Sequence, residues 1–398
     1  MFSKTYRLLF IVGTAWLFDA MDVAMLSFIM PLLKTEWSLS PLQLGTVSAA
    51  TSVGMIFGAV ICGILADRFG RKHVLIYTLM LFSLGNLLLT VAPNVNVFIL
   101  IRFITGIGLG GELPVAATVI ADHYHGTQQS RMLVLADSFW AIGWLLASVL
   151  AFYVMPLVGW RVTVLLTAVT VLYALMMRRH LPVDQPSVAP ARPSYKVLWQ
   201  PDYRKQTLLL SALWFIVMLT YYGMFLWLPS ILVMRGFTIV HSFGYTLLIT
   251  VAQLPGYYLA AYLMGKLQRK TVLLIYLVGT VISVLAFSVA NSDLTVLASG
   301  AWLSFFDLGA WGTLIALTPG QFPQAIRGTG MGTAQSIGRI GATIGPYMVG
   351  LLLQFKLPLT AILSVFIGFL IIGIALLAFG VHDTAPVFKG GLSHDPND

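Results

Sequence analysis

Apolar residues in this chain come in long runs, each broken by a short polar or charged stretch. The runs fall at roughly 7–33, 42–66, 73–91, 95–121, 131–157, 160–180, 205–234, 238–264, 271–290, 293–320, 328–354 and 357–380. About 20 residues of α-helix cross a hydrocarbon core, whereas a barrel strand needs only about 10. In lipid every backbone amide must be satisfied within the segment, so runs of this length read as helices. The pattern predicts an all-α polytopic membrane protein with twelve transmembrane helices. The first run is too long for the apolar core of a signal peptide, and no small-residue cleavage site follows it.

The longest polar connection runs from Arg178 to Lys205 and is rich in proline and charge. It predicts a linker between two six-helix halves, with bundles over 1–180 and 205–380, a linker over 181–204 and a tail over 381–398. The halves repeat. "GAVICGILADRFGRKHVL" from Gly58 aligns with "GYYLAAYLMGKLQRKTVL" from Gly256, an offset of 198 that Trp16/Trp214 and Pro31/Pro229 share. Parallel repeats are typical of transporters that rock two bundles about a midplane site. The second copy is altered: Gly265 stands for Asp67, Gln268 for Gly70 and Thr220 for Asp22.

Composition agrees with lipid as solvent. The chain is 58% hydrophobic and 9% charged, against about 25% charged in soluble domains, and its mean hydropathy is +0.89. The net charge of +9 does not point to nucleic acid, because of where the charges lie. Lys34, Arg161, Arg235 and Lys356 fall on one side of the predicted topology, Arg102 and Arg339 lie within runs, and the rest of the 23 Lys and Arg fall on the other side. This positive-inside bias places both termini in the cytoplasm. The single cysteine, Cys62, excludes an intrachain disulfide framework.

The connection "GILADRFGRK" joins runs 2 and 3. Gly63 permits close helix approach and Gly70 a tight turn, while Asp67 can pair with a basic residue such as Arg68 or Arg71 or cap a helix end. With twelve runs and the repeat, this stretch resembles the signature loop of the major facilitator superfamily. "RFITGIGLGG" from Arg102 and "FPQAIRGTG" from Phe322 resemble two further motifs of that superfamily. The resemblance implies two pseudo-symmetric six-helix bundles, a central cavity, alternating access, and a loop that latches the cytoplasmic gate.

Charges inside the runs are costly and need a partner, a proton or a task. In "WLFDAMD", Asp19 and Asp22 are three residues apart and share a helix face. Run 4 carries Arg102 at a depth within about two turns of Asp22 at 1.5 Å per residue, so a salt bridge between them is expected. Asp22, with Arg102, is the candidate proton-coupling group; Asp19 and Glu112 are further candidates. In the second half Arg339 lies deep in run 11. Read at an offset of 195, Trp144 occupies its place in the first half. Guanidinium binds carboxylate bidentately, so Arg339 is the candidate substrate clamp, with pairing to Asp307 as the structural alternative. Tyr221, Tyr222, Trp144, Trp311, Asp307, Gln253 and Gln335 complete the candidate substrate set.

"AWLFDAMDVAMLSFIMPLL", "GIGLGGELPVA", "DSFWAIGWL", "YYGMFLWLPS", "AQLPGYYLAA" and "SIGRIGATIGP" resemble the bacterial niacin transporters, near the organic-ion branch of the superfamily. That resemblance implies proton-driven uptake of nicotinate, with nicotinamide as a second substrate, by a monomer in the bacterial inner membrane. Two stretches depart from the pattern: "LPVDQPS" after run 6, and Asp137 where a glutamate is expected, neither of them at the proposed site. Helix 7 lacks the glutamine pair of sugar porters. No zinc spacing, nucleophile elbow or phosphate loop is present, which argues against an enzyme, a metal or a cofactor. Another organic-ion, aromatic-acid or drug-efflux carrier, and a non-transporting receptor, remain as alternatives.

Overall fold

In the computed structural model the backbone is described for residues 4–69, 71–123, 135–168, 195–323 and 326–381. The elements among them are helical. The first half holds α1 (Lys4–Glu36), α2 (Pro41–Phe69), α3 (Arg71–Leu89), α4 (Val95–His123) and α5 (Phe139–Val149), with a π-turn (Leu150–Val154) leading into α6 (Met155–Thr167). The second half holds α7 (Pro201–Phe225), α8 (Leu228–Met234), α9 (Ile239–Val251), α10 (Gln253–Met264), α11 (Arg269–Val289), α12 (Asp293–Leu317), α13 (Arg327–Gln354) and α14 (Leu359–Gly380).

Among the described residues, nine helical stretches are long and apolar enough to cross a membrane, and Ile76–Leu89 and Val95–Gly111 are shorter apolar pieces of α3 and α4. One of the nine, Leu135–Thr167, takes in two predicted runs. The chain breaks between them at Gly159, whose φ of 78° favours a residue without a side chain. Run 7 is broken too. α7 stops at Phe225 and α8 restarts at Leu228, with Pro229 in its first turn, where a missing N–H costs nothing. Run 8 divides at Ala252.

Call the end holding Lys4 and Gly380 the near end and the opposite end the far end. Described basic residues collect at the near end, where they close helix C-termini: Arg269 donates to the Ala316 carbonyl at 2.9 Å and Lys270 to the Ala378 carbonyl at 3.0 Å. At the far end Glu36 accepts from the Trp160 indole at 2.8 Å and from Arg161 at 2.7 Å.

Lipid tails are as apolar as leucine, so burial does not drive helix against helix; close packing through small residues does. The glycines show this. A Cβ on Gly58 would overlap the Ile107 carbonyl of α4, and one on Gly256 would overlap the Phe305 carbonyl of α12. Likewise Gly143 lies on the Leu17 carbonyl and Gly341 on the Phe215 carbonyl. Each second-half contact is the first-half contact moved by 198 positions (256 − 58, 305 − 107, 341 − 143, 215 − 17). The repeat is therefore a repeat of contacts.

This register corrects one expectation. With Gly143 equivalent to Gly341, the first-half counterpart of Arg339 is Ala141, and Trp144 corresponds to Ala342. The offset of 195 aligned similar apolar letters rather than equivalent faces.

Across the halves α2 packs on α13, α5 on α9 and α1 on α8. Towards the far end, Gly45 lies against Gly350, Phe28 meets Phe243 edge-on at 5.3 Å, and Phe152, on the π-turn, covers Gly244.

Gly341→Val should lower the thermal midpoint of the detergent-solubilised protein, at a cost of about 1–3 kcal/mol from overpacking. Gly368→Ala, where an added Cβ meets nothing within 4 Å, should leave the midpoint in place. Equal midpoints for the two variants would refute glycine-mediated packing.

Candidate functional site

The polar groups sit on helices whose apolar neighbours hold them at mid-depth. On α1, Asp22 forms a buried ion pair with Arg102 of α4. Arg102 Nη1 stands 3.1 Å from Asp22 Oδ2 and 3.3 Å from Oδ1, with side-chain exposures of 3% and 5%. Arg102 Nε donates to Thr51 Oγ1 of α2 at 3.0 Å. The pair expected from depth is thus present, and it ties three helices of the first half. At the offset of 198 its members become Thr220, Gly300 and Ile249, so the second half has no copy of it.

Asp19, one turn earlier, is fully buried. Tyr222 of α7 faces the Arg339 guanidinium, without a well-formed hydrogen bond. Arg339 is only partly buried, and its Nη1 reaches across the interface to Met55 Sδ of α2 at 3.0 Å. It makes no ion pair with Asp307. That carboxylate is buried on α12, and neither of its oxygens has a hydrogen-bond partner. The pairing of Arg339 with Asp307 is therefore absent.

Aromatic side chains fill the space between the halves. Trp140 of α5 stacks on Trp311 of α12, with centroids 6.2 Å apart and planes 13° apart, and its indole donates to the Tyr221 hydroxyl at 3.1 Å. Trp144 meets Tyr221 and Phe225 edge-on, each at 6.0 Å. Trp311 further contacts Trp214 at 5.5 Å, Tyr221 at 5.4 Å and Tyr222 at 6.3 Å. Gln253 is fully buried with its amide unpartnered, and Gln335 is half-buried one turn before Arg339. The structure thus gathers Tyr221, Tyr222, Trp144 and Trp311 into one cluster bordered by Arg339. Among the described residues, Gln253, Gln335 and Asp307 form no hydrogen bond or ion pair with the guanidinium. Glu112 and the loop residues Gly63, Asp67, Arg68, Gly70 and Arg71 lie outside the residues whose side chains are described.

One residue is corrected. Asp137 was expected to lie away from the site. Instead, its Oδ2 accepts from the Tyr257 hydroxyl of α10 at 3.0 Å, and the Trp311 indole lies near the same carboxyl without hydrogen-bonding to it. The contact joins the two halves. No local pattern marks it, because its partners are 120 and 174 positions away (257 − 137, 311 − 137).

Removing one member of a buried ion pair strands the other and costs about 3–5 kcal/mol. Arg102→Leu should therefore lower the thermal midpoint strongly, and adding Asp22→Asn should restore part of the loss. Additive losses in the double variant would show that the two side chains do not act as a pair.

Comparison with known proteins agrees with this arrangement. The chain is 45% identical over 378 residues to the Bacillus subtilis protein named as a niacin/nicotinamide transporter, NiaP, covering 93% of this chain and 94% of that one. It is 36% identical over 378 residues to the niacin transporter NiaP of Acinetobacter baylyi, covering 86% of each. In fold it is similar to a crystal structure of a D-xylose–proton symporter, with a TM-score of 0.79, 18% identity and coverage of 97% and 99%. The Major Facilitator Superfamily model matches residues 12–256 and 240–394. Paired bundles, repeated helix contacts and family match together make the chain a transporter of the Major Facilitator Superfamily, and not an enzyme.

Proposed function

We propose that the protein takes up nicotinate, and nicotinamide as a second substrate, by proton symport with alternating access. The observation that carries this reading is Arg339: a partly accessible guanidinium, with no carboxylate partner among the described residues, beside an aromatic cluster between the halves. A deep cation of that kind is expensive unless a ligand or cavity meets it. A small aromatic acid supplies both a carboxylate for the fork and a ring for the indoles and phenols. The names of the two niacin-transporting relatives support the same substrate.

The proton-coupling role falls to Asp22, with Arg102 as its partner and Asp19 and Glu112 as accessory acids. Ionised Asp22 holds Arg102; protonated, it releases that charge, and a carrier that binds the two forms differently in its two states moves protons with its cargo. The loop at Gly63–Arg71, through Asp67, Arg68 and Arg71, latches the near end. The basic near end faces the cytoplasm of a bacterial cell, and a monomer suffices for transport.

Binding measurements test the clamp. Truncating one partner of a hydrogen-bonded charge pair costs about 2–5 kcal/mol, so Arg339→Ala should weaken nicotinate binding by about 30-fold or more. Arg339→Lys keeps the charge without the fork and should rescue only partly. Nicotinamide has no carboxylate, and its affinity should change far less. Equal losses for both ligands would assign Arg339 to packing against Met55 and overturn the clamp.

A further inference from the structure

Asp137 has no part in the coupling pair, yet it makes a hydrogen bond between the halves. It belongs to the first half, two residues before α5, and is only partly buried. The Tyr257 hydroxyl that donates to it belongs to the second half, as does the nearby Trp311 indole. Trp140, one helical turn further on, stacks on Trp311, so the carboxyl lies beside two near-parallel indoles, one from each half. Gly338, next to Arg339 on α13, lies against Trp214, and both Trp214 and Tyr222 contact Trp311, at 5.5 and 6.3 Å. An acid and a guanidinium therefore border the same aromatic cluster.

A carboxyl group offers two oxygens and about four lone-pair positions, and Tyr257 does not exhaust them. We propose that Asp137 recognises the ring nitrogen of a pyridine carboxylate whose carboxylate is held by Arg339. The proposal rests on the reading of Arg339 given above. One proton, shared between the Asp137 carboxyl and the ring nitrogen, forms the bond. Either the acid O–H donates to a neutral ring nitrogen, or a pyridinium N–H donates to the carboxylate. No other bond is made or broken. Benzoate has the same carboxylate and a ring of the same shape, so the guanidinium and the indoles treat both alike. Only a polar partner at the ring separates them, because benzoate turns a C–H towards Asp137 and leaves the carboxyl oxygen that Tyr257 does not use without a partner at the ring.

The test uses the purified full-length protein in detergent, with radiolabelled nicotinate and competition by benzoate and by N-methylnicotinate, whose ring nitrogen is blocked. In the wild type, benzoate and N-methylnicotinate should each compete at least about tenfold more weakly than nicotinate. Asp137→Leu should remove that preference by weakening nicotinate about tenfold while benzoate keeps its wild-type affinity. Asp137→Asn, which retains an N–H donor, should fall between. Parallel losses of nicotinate and benzoate in Asp137→Leu would make Asp137 a strut between the halves and overturn the proposal. Equal competition by benzoate and nicotinate in the wild type would overturn it even if the leucine variant does not fold. A wild type that prefers nicotinate but keeps that preference in both variants would also overturn it, while leaving the Arg339 reading intact. A wild type that binds no nicotinate would defeat the transport reading itself.

Discussion

The first half is organised around one buried ion pair. Asp22 and Arg102 are both held away from water, and each alone would carry the penalty of a bare charge in a medium of low dielectric. Together, with Thr51 on the guanidinium Nε, they fix α1, α2 and α4 in one arrangement. That arrangement explains why the glycines of α2 and α4 sit back to back: Gly54 meets the Phe103 carbonyl and Gly106 the Thr51 carbonyl. Close backbone approach brings the Thr51 hydroxyl within reach of Arg102, and the ion pair in turn holds the helices at that distance.

The second half keeps the packing and discards the pair. Gly300 stands where Arg102 would be, against the side chain of Ile249, the counterpart of Thr51. Its own polar groups are elsewhere: Arg339 replaces Ala141, Gln253 replaces Met55 and Asp307 replaces Leu109. One scaffold thus carries two chemistries. The first half holds a buried charge pair, and the second presents a guanidinium beside the shared aromatic cluster.

Much of this was legible in the sequence because membrane helices announce themselves by length and hydropathy. The Asp22–Arg102 pair was legible too, since depth along antiparallel helices can be counted. Register within a helix was less accessible. Apolar letters match at many offsets, and only the contacts of Gly143 and Gly341 show that Arg339 answers to Ala141 and not to Trp144. The breaks at Leu226 and Ala252 were missed because Pro229 and Pro255 lie in first turns, where hydropathy does not change. Asp137 was missed because its partners are on the other half, and no periodicity within α5 records a contact made across an interface.

The central claim is that protonation of Asp22 ties the two chemistries together. It is tested most directly in proteoliposomes holding wild type or Asp22→Asn, loaded for nicotinate counterflow and, separately, for uptake driven by an imposed pH gradient. The account predicts that the wild type accumulates nicotinate against its gradient, and that Asp22→Asn exchanges nicotinate at comparable rates but accumulates none. Full pH-driven accumulation by Asp22→Asn would contradict it.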